Sequence, residues 1–171
     1  MYNLFEKSIS EKIKNILQLG HNLGLHFEYS YYDEISSLQE LTKKLYLEKN
    51  ILESQFGNFF QVFSLHNPDT NNAINIDKNS IAGMINTYGK EIKSNYHYCS
   101  DSNGYWRFER LPDVIKNKKY DKLHILIHPE WWQKKSLSPK DRIKRCIDQR
   151  AKTTFNLYEK ITKDGGRKNI G

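Results

Sequence analysis

Two cysteines, Cys99 and Cys146, are all that 171 residues provide, and they fall in no paired spacing. That excludes a disulfide scaffold and a cysteine zinc site and favours a reducing compartment. Long apolar runs are also missing, so no segment reads as a membrane span. The N-terminus, Met1-Tyr-Asn-Leu-Phe-Glu-Lys, lacks the pattern of a signal peptide, and the expected location is cytoplasmic. Zinc-finger spacing and an aromatic RNA-binding signature are absent as well, so no nucleic-acid partner is expected despite the net charge of +7. That charge is local. Between Lys134 and Lys168 twelve Lys/Arg stand against four Asp/Glu, which leaves the rest of the chain one charge below neutral. The run reads as the solvated face of a terminal helix.

What is present is a chain long enough for one domain with a real core, rich in Tyr and Phe. One domain over 1–162 is expected, with a flexible basic tail at 163–171. Helix and strand patterns alternate along it. Ile9, Ile13, Ile16 and Leu17 form one stripe that ends at Gly20, with Ser8 or Ser10 as N-cap. Leu25–Tyr29 reads as a strand. A long amphipathic helix follows, carrying Ile35, Leu38, Leu41, Leu45 and Leu52 and stopping at Gly57. Phe60–Pro68 reads as a second strand. Ile81, Met84, Ile85 and Tyr88 predict a short helix closed at Gly89. Asn95–Asp101 is a third strand, opening into the turn Ser102-Asn103-Gly104, and Leu111–Ile115 a short helix. Leu123–His128 is the last strand, broken by Pro129. A last long helix opens at Ser138-Pro139, carries Ile143, Cys146, Ile147, Ala151, Phe155, Tyr158 and Ile161, and ends at Gly165-Gly166.

The strand exits carry the chemistry. His26 and Glu28 share a face because strand side chains alternate with period two. They could bind a metal, share a proton, or form a buried ion pair. His66 closes the second strand, with Asn67 as a ligand-carbonyl partner or a turn residue. Asp101 stands at the third exit. His128 stands at the last, followed by Glu130, Trp131 and Trp132. Cys99 reads as a small buried hydrophobe, and Arg107 as a surface residue or a carboxylate partner. Four strands ending in polar groups in one register predict an α/β fold with a parallel sheet, its strand C-termini opening on one face.

With those residues in view, the chain resembles the polysaccharide deacetylase (NodB-homology) family, in a branch found with surface-polysaccharide genes. The resemblance rests on Gly20-His21-Asn22-Leu23-Gly24-Leu25-His26-Phe27-Glu28, on Phe63-Ser64-Leu65-His66-Asn67-Pro68, on Ser100-Asp101-Ser102-Asn103-Gly104-Tyr105-Trp106, and on Leu126-Ile127-His128-Pro129-Glu130-Trp131-Trp132. It spans roughly Tyr2 to Trp132. It implies a partial or distorted (β/α) barrel and metal-dependent hydrolysis of N-acetyl or O-acetyl groups on a carbohydrate.

On that resemblance His26 and His66 would face a divalent metal of the zinc type, and His128 would be the general acid. Asp101 and Glu28 join the catalytic set; Asn67, Trp106, Glu130 and Trp131 would meet the saccharide. The sequence departs from the family at two places. The second metal histidine would fall at Ser30, and the paired aspartates would lie on a strand upstream of Met1, so the chain reads as N-terminally truncated. Glu28, Asp33 or Asp101 could replace the missing base chemically. The competing expectation is a non-catalytic carbohydrate-binding protein or an inactive remnant of the barrel, with Trp106, Trp131 and Trp132 as stacking platforms.

Overall fold

The computed structural model describes residues 3–32, 35–57, 61–67 and 76–168. The chain is mixed α/β and divides into two compact units, residues 1–97 and 98–171, each taken by itself below. Among the described residues no helix is long and apolar enough to cross a membrane.

The first unit is built on α1 (Lys7–Gln18), β1 (Leu25–Phe27), α2 (Leu38–Phe56), β2 (Val62–Leu65), β3 (Ser80–Ile81), β4 (Met84–Asn86) and α3 (Lys90–Asn95). Its sheet runs β1-β2-β4-β3, with β2 parallel to β1 and β4, and β3 antiparallel to β4. The register pairs Leu25 with Phe63, His26 with Ser64 and Phe27 with Leu65. Alternation then decides what is inside. Leu25, Phe27, Phe63 and Leu65 are buried, and Leu41 and Leu45 of α2, four residues and so about one turn apart, close over them. Ser37 caps α2 by accepting the Glu40 N–H, and the chain leaves the helix at Gly57, whose φ of +78° suits glycine.

The helix predicted over Ile81–Tyr88 is not formed. A hairpin stands there instead, its two-residue turn Ala82-Gly83 at φ +53° and +71°. Two positive φ values in a row give the turn whose twist matches the flanking strands. Spacing alone misleads here because Ile81, Met84 and Ile85 fit a helical stripe, whereas the burial follows period two: Met84 and Asn86 are buried and Ile85 is exposed. Ala82 bears a left-handed conformation worth roughly 1–2 kcal/mol of strain, which the hairpin and its buried neighbours hold in place. Asn86, wholly buried, is satisfied: its amide donates to the Ile76 and Lys78 carbonyls and its Oδ1 accepts the Tyr88 N–H.

The second unit contains β5 (His97–Ser100, its first residue at the boundary), α4 (Leu111–Asn117), β6 (Leu123–Leu126) and α5 (Pro139–Asp164), with single 3₁₀ turns at Ser102–Gly104 and Pro129–Trp131. β5 and β6 form a separate two-stranded sheet, so the described strands fall in two sheets and close no barrel among themselves. Along β6 the half-buried side is His124 and Leu126, while Ile125 is exposed. His124 packs edge-on against Tyr98, and burial lowers its pKa. α5 starts as the sequence predicts, with the Ser138 hydroxyl accepting the Asp141 N–H and Pro139 in the first turn. It runs helical through Asp164, two residues into the stretch expected as a tail.

One half-buried pair sets a pH dependence. The Tyr32 hydroxyl, its ring stacked on Phe27, donates to Glu48 at 2.6 Å. Burial raises the Glu48 pKa, against the lowering effect of that hydrogen bond. With the folded pKa above the unfolded one, Glu48's contribution to stability is fully present in acid and is lost as pH rises through the folded value. Glu48→Gln keeps an acceptor without the charge. It should therefore resist urea better than the parent at pH 7, with the difference vanishing below the ordinary carboxylate range. A variant less stable at pH 7 would contradict this.

Candidate functional site

The described residues assemble two clusters, one in each unit. In the first, alternation turns the polar side of β1 and β2 away from the core. His26 therefore lies opposite Ser64, and its Nδ1 is 2.7 Å from the Ser64 hydroxyl. The His66 N–H continues the ladder by donating to the Phe27 carbonyl, which brings its ring beside His26. His26 Nε2 and His66 Nδ1 are 3.3 Å apart, with the rings at 77° to each other. On its far side His66 Nε2 meets Glu28 Oε2 at 3.4 Å. Glu28 also accepts the Ser30 N–H at 2.9 Å. That bond leads the effects holding its carboxyl below the ordinary range: partial burial opposes it, while the Ser30 hydroxyl and the two imidazoles add to it.

The tautomers that donate outward, His26 to Ser64 and His66 to Glu28, direct two imidazole lone pairs at each other. Two nitrogens bound at about 2.1 Å on a tetrahedral ion are about 3.4 Å apart, close to the separation seen. Hydroxyl and carboxylate partners on the far ring nitrogens are how proteins orient histidine ligands. The residues thus fit two positions of a zinc-type ion. Among the described residues no group of three or more His, Cys, Asp or Glu is arranged to hold one.

In the second unit β5 delivers Asp101 and β6 delivers His128. The Asp101 side chain is 5% exposed and accepts twice from one residue: Oδ1 is 2.7 Å from His128 Nδ1, and Oδ2 accepts the His128 backbone N–H at 3.2 Å. The Asp101 N–H donates to the Leu126 carbonyl, which locks carboxylate and strand together. Nδ1 is thereby engaged, so Nε2 is the ring atom left to do chemistry. The Trp131 ring lies 6.2 Å from the imidazole.

Of the predicted residues, His26, Glu28 and His66 come together in the first unit, and Asp101, His128 and Trp131 in the second. Asn67 takes φ +46°, the turn conformation. Glu130 gives its backbone carbonyl to Arg145. Trp131 packs under the Ser102–Gly104 turn, where a Cβ on Gly104 would lie 3.6 Å from its ring, while Trp132 is the tryptophan that faces solvent. Trp106 is half-buried. Asp33 and Pro68 lie outside the described residues. Ser64 was missed; its signal was its place two residues before His66, on the same strand face.

The chain matches no protein-family model, no curated protein and no solved structure.

If Ser64 orients His26 toward a metal, calorimetry should find one equivalent of Zn²⁺ bound, weakened about 10–100-fold by Ser64→Ala. Equal affinity in parent and variant would remove Ser64 from that role.

Proposed function

We propose that the chain is a metal-dependent hydrolase of the polysaccharide deacetylase kind, which removes acetyl groups from the nitrogen or oxygen of a carbohydrate. The observation that carries this reading is the Asp101–His128 pair. A buried carboxylate that grips both the ring and the backbone of one histidine fixes its tautomer and aim, and it stabilises the imidazolium that forms when Nε2 takes a proton. Such a group can deliver a proton to the amine or alcohol that leaves as water cleaves the acetyl bond.

His26 and His66 are the residues that would hold the ion, with Ser64 and Glu28 orienting them. When bound there, a zinc-type ion supplies Lewis-acid polarisation and a more acidic water. The parallel β1-β2-β4 order with α2 between its first strands supports a partial or distorted (β/α) barrel, the fold we propose. Cys99 and Cys146, free in the structure, suit a reducing compartment such as the cytoplasm. The second reading, a non-catalytic carbohydrate-binding protein, rests on the 59% exposure of Trp132.

Acetate release from N-acetylated chito-oligosaccharide in the presence of Zn²⁺ separates the two. Hydrolysis should fall by about 10²–10⁴ in Asp101→Asn and in His128→Ala, with unchanged circular dichroism. Saccharide binding with no acetate release, or release indifferent to both substitutions, would favour the binding reading or sink the acid–base role.

A further inference from the structure

An open cavity of about 680 Å³ lies in the first unit and has no part in the chemistry above. Its lining begins at Ser30, whose N–H is bound to Glu28, the carboxylate that meets His66. From there it passes Tyr31 and reaches Lys43, Lys44 and Leu47 on one side of α2. The volume is that of a small-molecule site.

The wall is uneven in a way that selects a ligand. Tyr31 is 57% exposed and offers an aromatic face. Lys43 and Lys44 bring two ammonium groups, that of Lys44 lying 4.8 Å from the ring centre of Tyr32, which also lines the cavity. Among the described lining residues the one carboxylate, Glu40, is turned to Ser36, accepting its N–H at 2.9 Å and its hydroxyl at 3.1 Å. An aromatic face with two amines beside it suits a sugar ring bearing a negative substituent, because lysine serves phosphate and carboxylate as a point charge.

We propose that the cavity lined by Ser30, Tyr31, Lys43 and Lys44 is a subsite for an anionic saccharide, with the ring on Tyr31 and the charged substituent on Lys43 and Lys44. This rests on the hydrolase reading, to whose His26–His66 cluster the cavity is tied through Ser30 and Glu28, and it names the class of substrate: a saccharide with a phosphate or carboxylate near the acetylated position. The subsite confers preference and takes no part in proton transfer.

The test is calorimetry of the whole chain with N-acetylglucosamine, its 6-phosphate and inorganic phosphate. The sugar phosphate should bind at least about tenfold tighter than the neutral sugar, the worth of one charge-assisted contact. The Lys43→Gln/Lys44→Gln double variant should erase that preference and leave the neutral sugar's affinity unchanged. Tyr31→Ala should weaken both sugars alike. Inorganic phosphate binding as tightly as the sugar phosphate would reduce the cavity to an anion site and overturn the proposal. Equal binding of the two sugars, or binding of neither, would overturn it too. His128→Ala keeps the two readings apart: loss of acetate release with the preference intact supports both. A parent chain that shows the preference but releases no acetate sinks the hydrolase reading alone, unchanged release in His128→Ala sinks that residue's acid–base role, and release without preference sinks the subsite alone.

Discussion

The pairing of β1 with β2 is the constraint on which the first unit depends. Leu25, Phe27, Phe63 and Leu65 are all at or near zero exposure, and burying each such side chain contributes about 1.5–3 kcal/mol. Slipping β1 by one residue would turn Leu25 and Phe27 out and His26 in, a loss of about 3–6 kcal/mol from that strand alone. That is a large part of the total stability of an ordinary domain. The apolar residues thus fix the register, and the register sets His26 opposite Ser64 and next to His66. Core and candidate site are two faces of one decision.

The second unit reaches a similar end by polar means. Few of its side chains are buried, and Asp101 is among them. A carboxylate removed from water is costly unless it is hydrogen-bonded, and His128 supplies two of the bonds. The same bonds that satisfy Asp101 aim His128, so stability and function are linked at this point. Around it Trp131 is enclosed by the Gly104 turn and by the start of α5, and its ring serves as packing close to the imidazole.

Much of this was legible in the sequence. Some helix ends were clear, because Ser138-Pro139 and Gly57 act through local backbone chemistry, but α1 begins at Lys7 behind Glu6, so Ser8 and Ser10 lie inside the helix and neither caps it. The histidines at strand exits were visible through period two and the prolines that follow them. The β3–β4 hairpin was not, since its three apolar residues fit a helical stripe, the exposed Ile85 and buried Asn86 hide the strand alternation, and Ala82 gives no hint of a left-handed turn. The partner of His128 is separated from it by 27 positions, and only the pairing of Asp101 N–H with the Leu126 carbonyl brings them together. Ser64 escaped notice because a serine between core residues looks like a solvated strand face. α5 shows the opposite limit. Its apolar stripe is real, yet Ile147, Phe155, Tyr158 and Ile161 are exposed by more than half.

The central claim is that Asp101 fixes His128 as a directed acid–base group, and the tautomer of His128 tests it most directly. Nitrogen-15 spectra of the ring, recorded in its neutral form, should show the proton on Nδ1. Asp101→Asn should release it to a mixture of tautomers. A neutral ring protonated mainly on Nε2 in the parent would contradict the account, because that nitrogen could then not accept a proton.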